Sequence, residues 1–199
     1  REGTLIVRDA MNPAPLLIEA AQPGTVILSG SEPYTNWQEA NDGTYRHAWP
    51  HTWGVNRHWW TKFGVDIPEI GLRREMLWID GQRQRQVTQA NNLTPGTFCV
   101  DEAAGQLVLR PPEGVEPANH RVEATEQTYG LGFAKASNIA IRGLTIQHYA
   151  NTIGLRKGSP VPILWGLDAG GCALAVKNVN GILIEDCTLT ENNDEGLVL

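Results

Sequence analysis

The sequence predicts an all-β protein: a right-handed parallel β-helix, a solenoid of short strands, interrupted by a small inserted antiparallel β subdomain. Three observations predict it. The phrases "NIAIRGLTIQHYANT" (138–152) and "GILIEDCTLTENNDEG" (181–196) repeat one hydrophobic rhythm at a constant 43-residue offset, which aligns Ile139 with Ile182, Ile141 with Ile184, Gly143 with Asp186, Leu144 with Cys187 and Ile146 with Leu189. The 199 residues include 21 Gly and 12 Pro set among many short apolar runs, the texture of a turn-rich β protein. No run is long or periodic enough to be a crossover helix, which disfavours a doubly wound α/β sheet.

Residues 1–30 hold the first coils. "TLIV", "PLLIEA" and "GTVILSG" are short apolar strands, separated by Pro13, Pro15 and the Pro23–Gly24 pair where turns are needed.

Residues 31–130 change character and are read as the insert. They contain six of the seven Trp. "EMLWIDGQRQRQV" (75–87) is a strand pair about Asp80–Gly81, a strong hairpin signal, and "TFCVDEAAGQLVLRP" (97–111) is strand, turn at Gly105, strand. "HRVEATE" (120–126) alternates as a half-buried strand does. A Trp-rich loop without a clean period lies between Pro50 and Leu72.

Residues 131–199 carry the repeat. Placing Leu174 beside Leu197 gives a 23-residue spacing, so the 43-residue offset is read as two turns of roughly that length, with part of "YANTIGLRKGSPVPILWG" as a loop. Each unit must stack on its neighbours to bury its apolar face. The right hand follows from the general crossover rule. The chain stops on the apolar run "GLVL", and the coils are expected to continue past residue 199.

Charge narrows the function. Sixteen Lys and Arg against 22 Asp and Glu give a net charge of −6, which is poorly suited to a phosphate backbone, so no nucleic-acid partner is expected. No stretch is long enough for a membrane span. Cys99, Cys172 and Cys187 lack metal-ligand spacing and are expected to be small buried hydrophobes, with a Cys172–Cys187 bridge as the alternative.

The order of the phrases "APLLIEAAQPGTVILSGSEPYTNW" (14–37), "RREMLWIDGQRQRQV" with "PGTFCVDEAAGQLVLRPPEG", and "NIAIRGLTIQHYANT" resembles that of secreted β-helix carbohydrate-active proteins. It is most similar to the β-helix β-xylosidases, retaining glycoside hydrolases with an inserted β-sandwich-like domain, and more weakly to β-helix alginate and chondroitin lyases. The resemblance implies a carbohydrate partner and a secreted, periplasmic or cell-surface location. It also implies that the catalytic Asp and Glu lie on later coils, so no residue here is assigned as catalytic by match. A polysaccharide lyase and a non-catalytic carbohydrate-binding or surface β-helix protein stand as alternatives. The oligomeric state is left open.

Candidate substrate-binding residues follow from the solenoid's stacked corners. Glu191 and Asp194 belong to "ENNDEG", the densest carboxylate cluster of the repeat; the same residues also suit a solvated turn between coils. No cofactor and no metal are expected, with a Ca²⁺ site on these oxygens as the alternative. Asp168 and Trp165 fall in a Pro-bounded, Gly-flanked loop, "LWGLDAGG". His148 occupies the place of Glu191 in the internal alignment and is expected on an outward corner. His58, Trp59 and Trp60 offer aromatic faces beside hydrogen-bonding groups, as a pyranose ring requires, although Trp residues in this stretch also suit glue between the insert and the solenoid.

Overall fold

In the computed structural model, which describes residues 5–8, 11–51, 53, 64–150, 173–193 and 196–198, the two repeated phrases lie side by side. The chain divides into two units, one made of Arg1–Ser31 with Glu126–Leu199 and the other of Glu32–Thr125. The strands are, in chain order, β1 (Leu5–Arg8), β2 (Met11–Glu19) and β3 (Val26–Ser29). β4 (Ser31–Pro33) starts on the last residue of the first unit's opening segment, and the second unit continues with β5 (Gln38–Glu39), β6 (Tyr45–Ala48), β7 (Leu77–Ile79), β8 (Gln82–Arg83), β9 (Arg85–Gln86), β10 (Thr97–Asp101), β11 (Gln106–Arg110) and β12 (Val122–Thr125). The first unit then resumes with β13 (Leu131–Arg142), β14 (Leu144–Gln147), β15 (Leu174–Glu185), β16 (Thr188–Thr190) and β17 (Leu197–Val198). The described helical segments are 3₁₀ turns of three or four residues.

Two parallel sheets build the first unit. One runs β1–β13–β15–β17, with β2 also on β13, and the other runs β3–β14–β16. Neither closes into a barrel. The registers are those of the internal alignment: Ile139 faces Ile182, Ile141 faces Ile184 and Ile146 faces Leu189. The reading of 43 residues as two turns needs correction. Strands β13 and β15 are immediate neighbours at that offset, and β15 and β17 are neighbours with Leu174 opposite Leu197. Each offset is therefore one step of the sheet, and the residues at 151–172, which make the longer step longer, lie outside the described residues.

Alternation decides what is buried. Leu131, Phe133, Ile139, Ile141, Leu144 and Ile146 form the buried row, while Val7, Leu16, Ile18 and Leu28 on one side and Ile182, Ile184, Cys187 and Leu189 on the other are only partly covered. Cys187 is a free thiol rather than half of a bridge, and Cys99 is free and buried. Cys172 lies outside the described residues.

The repeat also fixes where the backbone bends. Four left-handed positions recur at the same offset: Lys135 (φ 50°) with Asn178 (φ 53°), Asn138 (φ 53°) with Gly181 (φ 75°), Gly143 (φ 67°) with Asp186 (φ 52°), and His148 (φ 67°) with Glu191 (φ 49°). Asn, Asp and Gly tolerate this region best, so most of these corners carry residues suited to it. Asp186→Val should therefore lower stability by about 1–2 kcal/mol, while Asp186→Gly should be close to neutral; thermal melting of the two variants distinguishes them.

The second unit holds two sheets, β5–β6–β11–β10–β9 and β4–β12–β7–β8. Asp80 (φ 48°) and Gly81 (φ 77°) make the expected two-residue turn between β7 and β8, with Ile79 opposite Gln82. Strands β10 and β11 form the expected hairpin, Asp101 facing Gln106. Two details differ from expectation. Strand β9 runs parallel to β10, and β12 is buried at all four residues rather than half-buried. The second difference follows from position: β12 is an interior strand, flanked by β4 and β7.

Candidate functional site

The three strands β3, β14 and β16 end together, with Ser29, Gln147 and Thr190 in one register row. The next residues along, Gly30, His148 and Glu191, turn the chain. Gly30 donates its N–H to the Gln147 carbonyl at 2.9 Å. A Cβ at Gly30 would stand 2.7 Å from the His148 carbonyl oxygen, so glycine is what allows the two strand ends to approach.

That approach seats the His148 ring. Its Nδ1 lies 3.0 Å from Ser31 Oγ and 3.3 Å from Ser29 Oγ, and the two hydroxyls are 2.9 Å apart. Its Nε2 lies 3.7 Å from Glu191 Oε2. The imidazole is buried, a correction to the outward corner expected from sequence: the row is roofed by Ser29 and Ser31 on one side and Glu191 on the other. The Glu191 side chain, by contrast, is 44% exposed.

The direction of that gradient limits the chemistry. Ser31 is fully buried, so its hydroxyl cannot act as a nucleophile on an external substrate. The carboxylate end faces solvent and can accept a hydrogen bond from a ligand hydroxyl, with the imidazole behind it restricting its orientation. The following residues brace the corner. Asn192 Oδ1 accepts the Tyr149 N–H at 3.0 Å, and the Tyr149 carbonyl accepts the Asn193 N–H at 3.0 Å. Burial pushes the Tyr149 phenol up to about 12, so the ring stays neutral and acts as packing.

Of the candidates from sequence, His148 and Glu191 are thus brought together. Asp168, Trp165, Asp194, His58, Trp59 and Trp60 lie outside the described residues. Ser29 and Ser31 were missed, because a Ser-Gly-Ser turn more than a hundred residues before His148 carries no local signal of the contact. Glu185 pairs with Arg142 at 2.8 Å, both exposed, as cross-strand partners on neighbouring strands. Among the described residues no group of three His, Cys, Asp or Glu side chains could hold a metal ion, and no helix is long and apolar enough to cross a membrane.

The second unit gathers aromatic rings. Trp49 and Trp53 meet edge to face with centroids 5.4 Å apart, and both are buried. These two are packing rather than an open sugar platform. Arg74 is buried beneath them, its Nη2 donating to the Trp53 carbonyl at 2.9 Å, and burial lowers its guanidinium from the ordinary arginine value. Arg73 bonds Glu69 at 2.7 Å and also Glu102. Arg73 is thus occupied by carboxylates of its own chain, and Arg74 is buried. A cavity of about 300 Å³ opens elsewhere in the unit, lined by Asn36, Gln38, Arg46, His47 and Gln106 with small residues between them. It too was missed, since its residues come from segments some sixty positions apart.

No protein-family model and no curated protein matches the chain. Solved structures match it in fold. One is the complex of XylC with xylose, with a TM-score of 0.55 at 14% identity over 95% of this chain and 38% of that one. Another is a glycoside hydrolase, with a TM-score of 0.51 at 12% identity over 98% of this chain and 55% of that one. At these identities the likeness is one of fold, and the chain spans well under two thirds of either protein.

Proposed function

We propose that the chain is part of a carbohydrate-active enzyme, a glycoside hydrolase of β-xylosidase-like type. In this reading residues 1–30 and 131–199 are coils of a right-handed parallel β-helix, residues 31–130 are its insert, and the protein works outside the cytoplasm. The observation that carries the reading is the likeness in fold, over nearly the whole chain, to a protein solved with xylose. The paired parallel sheets with strand ends in register support it, because they stack equivalent corners into a surface along which a sugar chain can lie.

Glu191 is the binding carboxylate of that surface, accepting a hydrogen bond from a substrate hydroxyl while His148 and the Ser29–Ser31 hydroxyls hold its corner. Hydrolysis itself needs two carboxylates roughly 5–9 Å apart across the bond; by the resemblance they belong to other coils. Assay of the protein on aryl β-xylosides and xylo-oligosaccharides tests the reading. Release of aryl alcohol is expected, and Glu191→Gln should raise KM about tenfold with kcat little changed, as loss of a charge-assisted bond does. Unsaturated uronate products would replace this reading with a lyase, and binding without turnover would replace it with a binding protein.

A further inference from the structure

The cavity in the second unit is built by strand register. Gln38 pairs with Arg46, Arg46 pairs with Val108, and Gln106 stands two residues along from Val108 opposite Ala48. With side chains alternating across the sheet, Gln38, Arg46 and Gln106 therefore project from one face and converge. Asn36, held at φ 62°, adds a further amide at the rim.

Two features define what this cavity can take. Its volume, about 300 Å³, is at the small end of ligand pockets and fits one or two sugar rings. Among the described residues no Asp or Glu lines it, in a chain whose net charge is −6. Arg46 is half-buried, and its guanidinium meets Gln106 Oε1 only at 3.5 Å, a weak bond that leaves most of its donors uncommitted. Asp42, on the turn that joins β5 to β6, is committed to Thr44, at 2.6 Å to the hydroxyl and 3.0 Å to the N–H. A guanidinium fork binds a carboxylate in bidentate fashion, and the surrounding amides both donate to and accept from hydroxyls.

We propose that this cavity is an accessory subsite for an acidic sugar, a uronic-acid unit on an oligosaccharide, with Arg46 on the carboxylate and Gln38, Gln106 and Asn36 on the ring hydroxyls. The sugar half of the proposal rests on the function proposed above; the anion half rests on the cavity alone. Calorimetry on the protein with a neutral xylo-oligosaccharide, the same oligosaccharide carrying one glucuronic acid branch, and inorganic phosphate tests it. The branched ligand should bind about tenfold more tightly than the neutral one, and Arg46→Gln should abolish that preference while neutral binding is unchanged. Gln106→Ala, which keeps the charge, should weaken the branched ligand a few-fold, and thermal melting checks that both variants are folded. Equal affinity for the two oligosaccharides overturns the subsite even where aryl xylosides are hydrolysed. Phosphate competing as well as the branched ligand overturns the sugar assignment and leaves a simple anion site. Failure to bind either oligosaccharide, with no hydrolysis, overturns both this inference and the functional reading.

Discussion

Gly130→Ala is expected to destabilise the protein by about 3 kcal/mol, toward the upper end of what overpacking costs. A Cβ at this position would lie 2.4 Å from the Ala173 carbonyl oxygen, 2.9 Å from Ile146 Cγ2 and 3.0 Å from Tyr149 Cε2. The carbonyl is backbone, and it accepts the Leu131 N–H at 2.9 Å in the first rung between β13 and β15. The Gly130 carbonyl meanwhile accepts the Leu5 N–H at 3.1 Å, which anchors β1. A methyl group there must displace both strands or lose both rungs. For a chain of this size the melting temperature should fall by about 6–12 °C. Gly114→Ala is the control: its φ of +77° carries a conformational cost of about 1 kcal/mol, but no atom stands within 4 Å of the added Cβ. Equal melting temperatures for the two variants would show that the approach at Gly130 is not limiting.

The features legible in the sequence were those written in local grammar. Inward residues spaced by two, as in Ile139 and Ile141, gave both the parallel pairing and its register, because a one-residue slip would turn every one of them to the opposite face. Asp80–Gly81 and Gly105 announced their hairpins through the positive φ that such turns demand. What failed depended on distant partners. Whether a 43-residue offset is one step or two depends on which strands lie adjacent, and apolar spacing is the same in either case. The alternation of "HRVEATE" described the strand but not its neighbours, so the burial of Glu123 and Thr125 could not be foreseen.

The site shows the same division. That His148 and Glu191 share a corner followed from the internal alignment. That the imidazole is buried did not follow, because its cover comes from Ser29 and Ser31, brought in by the pairing of β3 with β14. The cavity around Arg46 likewise exists only once β5, β6 and β11 are in register. Polar residues at alternate positions of a strand read as a solvated face until that register brings them together around a common volume.

Phe133→Ala is expected to cost about 3–5 kcal/mol, as removal of a fully buried aromatic ring does. Phe133 has no exposed surface and lies at the centre of a row, opposite Val7 on β1 and Val176 on β15. Its burial depends on both neighbours, which is why the equivalent residues do not share it fully: Val7 is only partly covered. Removing the ring therefore opens a cavity on a strand that is paired on both sides, where collapse is constrained. Val7→Ala should cost about 1–2 kcal/mol, because the lost methyl groups were already partly in contact with water. Phe133→Leu should fall between the two, since it restores most of the apolar volume without the ring. Urea unfolding of the three variants orders them. If Phe133→Ala were no worse than Val7→Ala, the enclosed row on β13 would not be the centre of the core, and stability would have to come from rows that the structure leaves half open.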